Sequence, residues 1–150
     1  MDKVNWILIA DRSRALILHA LPNGARPFPV LYSFDHPESR LTGCEVNSDA
    51  SGRIQLPGVA RTTVEPHEDR KHVESRRFAR QIVDALEHGR QEGRFDRLFV
   101  IAPPMFLGVL RESWPSPLRH HIAAEVIKDL MQLPEAERQQ RVEEILSSSE

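Results

Sequence analysis

The stretch Arg97-Leu98-Phe99-Val100-Ile101-Ala102, followed by Pro103-Pro104, decides the fold of this chain. A continuous apolar run of this length, bounded by a charged residue and prolines, is typical of a strand buried on both faces. Before it, residues 68 to about 90 carry apolar side chains at spacings of three and four, which predicts an amphipathic helix. After it, residues 105–111 also read as a helix, and a preceding proline suits the helix start. A buried strand between two helices predicts a sheet with helices packed on it.

Three shorter apolar runs precede this unit. They cover residues 4–10 (V-N-W-I-L-I-A), 15–20 (A-L-I-L-H-A) and 28–34 (F-P-V-L-Y-S-F), with short polar or Pro- and Gly-containing connections between them. The pattern predicts an antiparallel three-stranded meander. Pro27 and Pro29 confine the third strand to a sheet edge, where a second copy of the chain can pair with it. A homodimer is therefore one of the predicted partnerships.

The pattern of apolar residues predicts the secondary structure of the last part of the chain less clearly. Residues 122–130 (I-A-A-E-V-I-K-D-L) fit either a strand or a helix, with the strand favoured, and Pro134 begins a last amphipathic helix to about Leu146. The prediction is a single α/β domain over residues 1–150, with a mixed α+β sheet and the order β-β-β-long loop-α-β-α-β-α. The long loop covers about residues 36–67. Structureless connections beyond about 12–15 residues are uncommon in compact domains unless they are functional or disordered, so this loop is a pointer to function.

Composition excludes several classes of protein. The 150 residues contain 20 Lys and Arg against 22 Asp and Glu, a net charge of −2, which argues against clamping of nucleic acid by the whole molecule but not by a local basic patch. The single cysteine, Cys44, excludes an intramolecular disulfide and a cysteine-based metal cluster. Apolar runs stay far below the roughly 20 residues of a membrane span, and we read no signal peptide. We therefore expect a cytosolic protein without membrane insertion.

Residues 65–80 are rich in charged and histidine side chains, the groups most suited to binding or catalysis. From Arg70 to Arg97 there are 8 basic and 5 acidic residues, a local balance of +3. Arg76 and Arg80 stand four apart on one helix face with Arg77 beside them, which favours contacts along a phosphate backbone. The alternative is a solvated helix face with ion pairs such as Arg80 with Asp84.

Other constellations support catalysis or metal binding less well. His67 and His72 stand five apart, which matches no known metal-site spacing, so we predict neither a metal nor a cofactor. A hydrolase alternative uses either a polar set or an acidic set. The polar set is Glu65, His67, Asp69 and His72; the acidic set is Asp11, Glu74 and Asp129, a topology that evokes the carboxylates of RNase H-like nucleases. Asp11 also fits a turn cap, and catalytic residues stay unassigned.

Many separate blocks of the chain together resemble one bacterial family. They include Trp6-Ile7-Leu8-Ile9-Ala10-Asp11, His36-Pro37-Glu38, Gly52-Arg53, Glu65-Pro66-His67, Arg77-Phe78-Ala79-Arg80 and Ile101-Ala102-Pro103-Pro104. The family is the one described as "protein required for attachment to host cells", which is grouped with bacterial relatives of the archaeo-eukaryotic release factors and Pelota. The resemblance implies an RNase H-like fold like that of the release-factor central domain, with residues 122–130 as a strand.

The release-factor likeness also bears on activity. Matching Arg77-Phe78-Ala79-Arg80 to the helix after the release factors' Gly-Gly-Gln loop puts Lys71-His72-Val73 where that motif would stand. Val73 has no side-chain group to place a water, so peptidyl-tRNA hydrolysis is not expected. The expectation is a non-enzymatic, translation-associated module that binds the ribosome or structured RNA. The alternatives are a hydrolase acting on RNA or an RNA-linked ester, and a protein-partner module needed indirectly for attachment. The predicted binding residues are Arg53, Glu65, His67, Asp69, Lys71, His72, Arg76, Arg77 and Arg80.

Overall fold

A computed structural model describes residues 3–21, 26–36 and 64–148, and for residues 64–71 the backbone alone. The strands are β1 (Asn5–Ala10), β2 (Arg14–Ala20), β3 (Val30–Asp35), β4 (Arg97–Ala102) and β5 (Ile122–Ile127). The helices are α1 (Val64–Gln91), α2 (Pro104–Ser113), α3 (Ser116–Arg119) and α4 (Glu135–Ser148), with a 3-10 turn at Leu130–Gln132.

The five strands form one mixed sheet in the order β3-β2-β1-β4-β5. β1 pairs antiparallel with β2, and β2 with β3, whereas β1–β4 and β4–β5 are parallel. The antiparallel meander, the edge position of β3 and the strand at 122–127 are thereby confirmed, as is the mixed α+β class. The RNase H-like and release-factor outline stays a prediction.

Alternation along the strands divides the core between the two faces of the sheet. On β1, Trp6 and Leu8 pack on one face with residues of α1, α2 and α3, while Ile7 and Ile9 pack on the other with residues of the 3-10 turn and α4. Successive side chains of a strand point to opposite faces, so a strand covered on both sides must be apolar throughout. This accounts for the unbroken apolar runs of β1 and β4.

The structure corrects several predicted boundaries. Helix α1 begins at Val64 and not at Glu68, so the end of the predicted 36–67 loop is helical. Pro66 stands in the first turn, where a missing N–H costs no intrahelical hydrogen bond; a proline read as a loop signal is thus a helix-start residue. Likewise, β5 ends at Ile127 and not at Leu130, because residues 130–132 turn into the 3-10 turn that buries Leu130 and Met131.

Candidate functional site

Helix α1 divides into a packed part and an exposed part. Phe78 is the first residue along α1, among those whose side chains the structure describes, that is fully buried. From there the buried stripe continues through Ala79, Ile82, Val83 and Leu86 against the sheet and α2. The side chains of 72–77 are exposed or half-buried. The predicted binding residues therefore lie mainly on the part of α1 that precedes its packed segment.

Three arginines between residues 72 and 80 of α1 have exposed side chains. Arg76, Arg77 and Arg80 are all exposed, and the side chain of Arg77 is 62% accessible although its Nη1 lies 3.6 Å from Oε2 of Glu74. Within the part of the chain that the structure describes, neither Arg76 nor Arg80 has a carboxylate within 4.0 Å. Arg76 and Arg80 are separated by about 6 Å along the helix axis. The pair of Arg80 with Asp84, which a purely solvated helix face predicts, is not formed.

The other predicted binding residues are placed less fully. His72 is exposed and stands one turn before Arg76 on the same face. Glu65, His67, Asp69 and Lys71 lie on α1, but their side chains are outside the described residues, as is Arg53 altogether. The structure thus joins His72 to the arginine face (defined as His72, Arg76, Arg77 and Arg80).

Asp11, the acid that follows β1, acts as a turn cap. Its Oδ1 accepts hydrogen bonds from the backbone N–H groups of Ser13 and Arg14, both at 2.8 Å, and its own N–H donates to the Arg14 carbonyl at 2.9 Å. An aspartate that closes a tight turn in this way has a structural reason to be there. Among the described residues, Asp11, Glu74 and Asp129 form no group that can hold a metal ion.

A buried contact joins the end of β3 to α1. Nε2 of His36 lies 3.2 Å from Oε1 of Glu74, and the His36 ring stacks on Phe78 with centroids 5.0 Å apart. The backbone N–H of His36 also donates to the Ser13 carbonyl at 2.8 Å. The contact becomes an ion pair when the imidazole is protonated. It fixes Glu74, and with it the nearby Arg76 and Arg77, relative to the sheet.

The sequence points to His36 as part of the family resemblance, and to Glu74 as part of that resemblance and as one of the acidic candidate set. Their contact joins residues far apart in the chain, and no local spacing indicates it. The alternation of β3, continued by one residue, is the signal that places His36 over α1.

The carboxylate of Glu87, near the carboxyl end of α1, has a shifted pKa. The pKa of Glu87 is lowered, mainly because Arg90 hydrogen-bonds to its carboxylate through both Nε (2.9 Å) and Nη2 (2.6 Å). This bidentate pair is half-buried against the body of the domain. It stabilises the packed part of the helix and is no part of the arginine face.

No helix among residues 3–21, 26–36 and 64–148 combines the length and apolarity needed to cross a bilayer.

The described residues form a mixed α+β domain, in which helices cover both faces of one five-stranded sheet and the arginine face of α1 is exposed. The family described as "protein required for attachment to host cells" matches residues 6–142, and the chain belongs to this family. The chain is also similar to a protein of Rickettsia prowazekii (strain Madrid E), named "uncharacterized protein RP470", with 33% identity over 70 residues. That match covers 45% of this chain and 47% of the Rickettsia protein, so it spans about half of each.

Proposed function

We propose that this member of the host-attachment family is a non-enzymatic, translation-associated module that binds structured RNA or the ribosome through the arginine face of α1. The proposal depends on the exposure of Arg76 and Arg80 and on the lack of a carboxylate close to either of them. Both guanidinium groups are exposed, and neither has a carboxylate within 4.0 Å among the described residues. Guanidinium groups that are not neutralised within the fold keep their donors for phosphate oxygens.

The geometry of the face also supports phosphate contacts. Arg76 and Arg80 repeat at one helical turn, and Arg77 lies on the adjacent row. The contact of Glu74 with His36 holds one end of this row against the sheet. A row of charged side chains on a helix that is held in place suits contacts with the phosphate backbone of a nucleic acid. Such contacts position the partner without reading its base sequence.

The likeness to release factors supports the kind of partner, RNA or the ribosome, and not the hydrolytic reaction. Lys71-His72-Val73 replaces the Gly-Gly-Gln motif, and Val73 is a 37% exposed apolar residue on α1. Its side chain has no group that orients water, so the module binds without hydrolysing an ester. We also propose a cytosolic location, as the composition predicts.

The hydrolase alternative is less well supported. The carboxylate of Asp11 is engaged in the turn after β1, and it does not group with Glu74 and Asp129 into a metal-holding set within the described residues. No observation on the described surface singles out a protein partner, so the third alternative rests on the family name.

The decisive experiment is sucrose-gradient sedimentation in a bacterial lysate, at low and raised salt, paired with anisotropy titration of a hairpin RNA. The test variant is R76E/R77E/R80E. The control is R12E/K128E/R141E, which makes the same change in net charge at three other exposed positions. We expect the wild type and the control to sediment with ribosomal particles at low salt, and the test variant to stay at the top.

The salt dependence gives the proposal a quantitative form. Removing one arginine–phosphate interaction should reduce the slope of log K against log [salt] by roughly 0.7–0.9. The test variant should therefore have a clearly shallower slope than the control. Equal slopes and equal sedimentation of the two variants, with circular dichroism showing both folded, would refute the arginine face as the binding site.

A further inference from the structure

We propose a second, independent site: a groove on the α4 face of the sheet that binds a small phosphorylated molecule carrying hydroxyl groups. The groove has a volume of about 350 Å³. Its floor is made by two cross-strand pairs of β2 and β3, and its wall by the 3-10 turn and α4. Arg14, Leu16, Ser33, Met131 and Arg138 are among the residues that line it.

Two guanidinium groups are fixed at this groove by the same short segment. Nη2 of Arg14 donates to the Met131 carbonyl at 3.1 Å, and Nη1 of Arg138 donates to the Leu133 carbonyl, also at 3.1 Å. In the described part of the chain, neither guanidinium has a carboxylate within 4.0 Å. Each group is therefore oriented by a neutral carbonyl, keeps its full charge and retains most of its N–H donors.

The location agrees with the general behaviour of open α/β sheets. Arg14 follows the carboxyl end of β1 across the Asp11 turn, and the 3-10 turn follows the carboxyl end of β5. Ligands of such sheets bind outside the carboxyl ends of the parallel strands. The arginine face of α1 belongs to the helix layer on the opposite face of the sheet, so the two sites are separate.

The chemistry of the lining indicates the class of ligand. Two fixed guanidinium groups match the oxygens of a phosphomonoester, which arginine binds in a bidentate manner. Ser33 lines the groove from β3 and offers its hydroxyl to the hydroxyl groups of a sugar. Leu16 adds an apolar surface to the lining. A volume of about 350 Å³ is at the small end for ligand sites, and it fits a sugar phosphate better than a polymer.

The test uses the full chain and three probes: ribose 5-phosphate, ribose and inorganic phosphate. In an NMR titration of the wild type, ribose 5-phosphate should shift amides of residues 14–16, 33–35 and 131–138, and bind more tightly than either of the other two. Arg138→Gln and Arg14→Gln should each weaken it about tenfold or more, as expected for loss of a charged hydrogen bond. Arg141→Gln, an exposed arginine of the same helix that does not line the groove, should bind like the wild type.

Three results would each overturn the site. If millimolar ribose 5-phosphate causes no amide shifts, or shifts only amides of α1, the groove does not bind it. If inorganic phosphate binds as tightly as ribose 5-phosphate, Ser33 does not recognise the hydroxyl groups of a sugar in the groove. Equal weakening by Arg141→Gln reveals general charge attraction. If Arg14→Gln does not fold, the wild-type shift map and Arg138→Gln still decide the question.

Discussion

Gly89 on α1 lies directly over the indole ring of Trp6 on β1. A β-carbon at Gly89 would stand 2.5 Å from Cη2 and 2.7 Å from Cζ3 of Trp6. Trp6 is itself fixed from the side, because it stacks on Phe95 with ring centroids 4.6 Å apart and is only 1% exposed. The helix that carries the arginine face can therefore approach the sheet this closely only where its residue has no side chain.

Replacing Gly89 by Ala should destabilise the fold by about 1–3 kcal/mol, the usual cost of overpacking a core. The matched control is Gly108→Ala on α2, where a new β-carbon meets no atom within 4 Å. Since alanine favours a helix by roughly 0.5–1 kcal/mol over glycine, this control should be as stable as the wild type or more so. Urea denaturation of the three proteins measures both effects. Equal losses in the two variants would mean that the contact with Trp6 is not the cause.

Two substitutions at Asp11 distinguish a structural role of its carboxylate from a catalytic one. Asp11→Ala removes the oxygen that accepts the N–H groups of Ser13 and Arg14, and it should cost about 0.5–2 kcal/mol, as for loss of a helix cap. Asp11→Asn keeps an acceptor oxygen at the same position, so it should change the free energy of unfolding by less than about 0.5 kcal/mol. Thermal unfolding tests both. A hydrolytic activity on RNA that Asp11→Asn abolishes without loss of stability would assign Asp11 to catalysis instead.

The contact of His36 with Glu74 should determine how firmly the exposed part of α1 is held. His36→Ala removes the stacking on Phe78 and the approach to Glu74, so we expect a loss of about 1–3 kcal/mol. Hydrogen exchange should quicken at amides near residues 74–80 and change little after residue 86. His88→Ala, whose ring reaches Glu92 on the exposed surface, is the control and should leave both regions as they are. Uniform quickening along α1 would contradict a local brace.

The parts of the fold that the sequence predicts are those where burial leaves a periodic signal. β1 and β4 are covered on both faces, so their continuous apolar runs indicate central strands. β5 lies at an edge and is half-buried, so the apolar run 122–130 that contains it fits either a strand or a helix. The start of α1 is missed because Pro66, ordinarily a loop signal, is equally at home in a first helical turn.

The candidate sites depend on features that a sequence encodes weakly. The spacing of Arg76 and Arg80 predicts that they share a face, but the same spacing allows Arg80 to pair with Asp84, and only side-chain positions decide between the two. The groove gathers Arg14 and Arg138 from opposite ends of the chain through two backbone carbonyls. Carbonyl groups are present at every residue, so such a contact has no sequence signature.

The pair of Glu87 with Arg90 gives the fold a pH dependence of known sign. Hydrogen bonding to Arg90 lowers the pKa of Glu87 from its ordinary value of 4.5, so the unfolded chain binds this proton more readily than the folded one. The pair's contribution is therefore complete above pH 4.5 and is lost as the pH falls through the lowered pKa of Glu87. Glu87→Gln should be less stable than the wild type at neutral pH, and the difference should shrink in acid.

A double-mutant cycle separates this pair from the other acids of the chain. Glu87→Gln, Arg90→Gln and the double variant are compared by urea denaturation at neutral pH and again below the lowered pKa of Glu87. The interaction free energy should be favourable at neutral pH and close to zero in acid, where the carboxyl of Glu87 is protonated. A coupling that persists unchanged into acid would show that hydrogen bonding to the neutral side chain, and not the ionised carboxylate, joins the two residues.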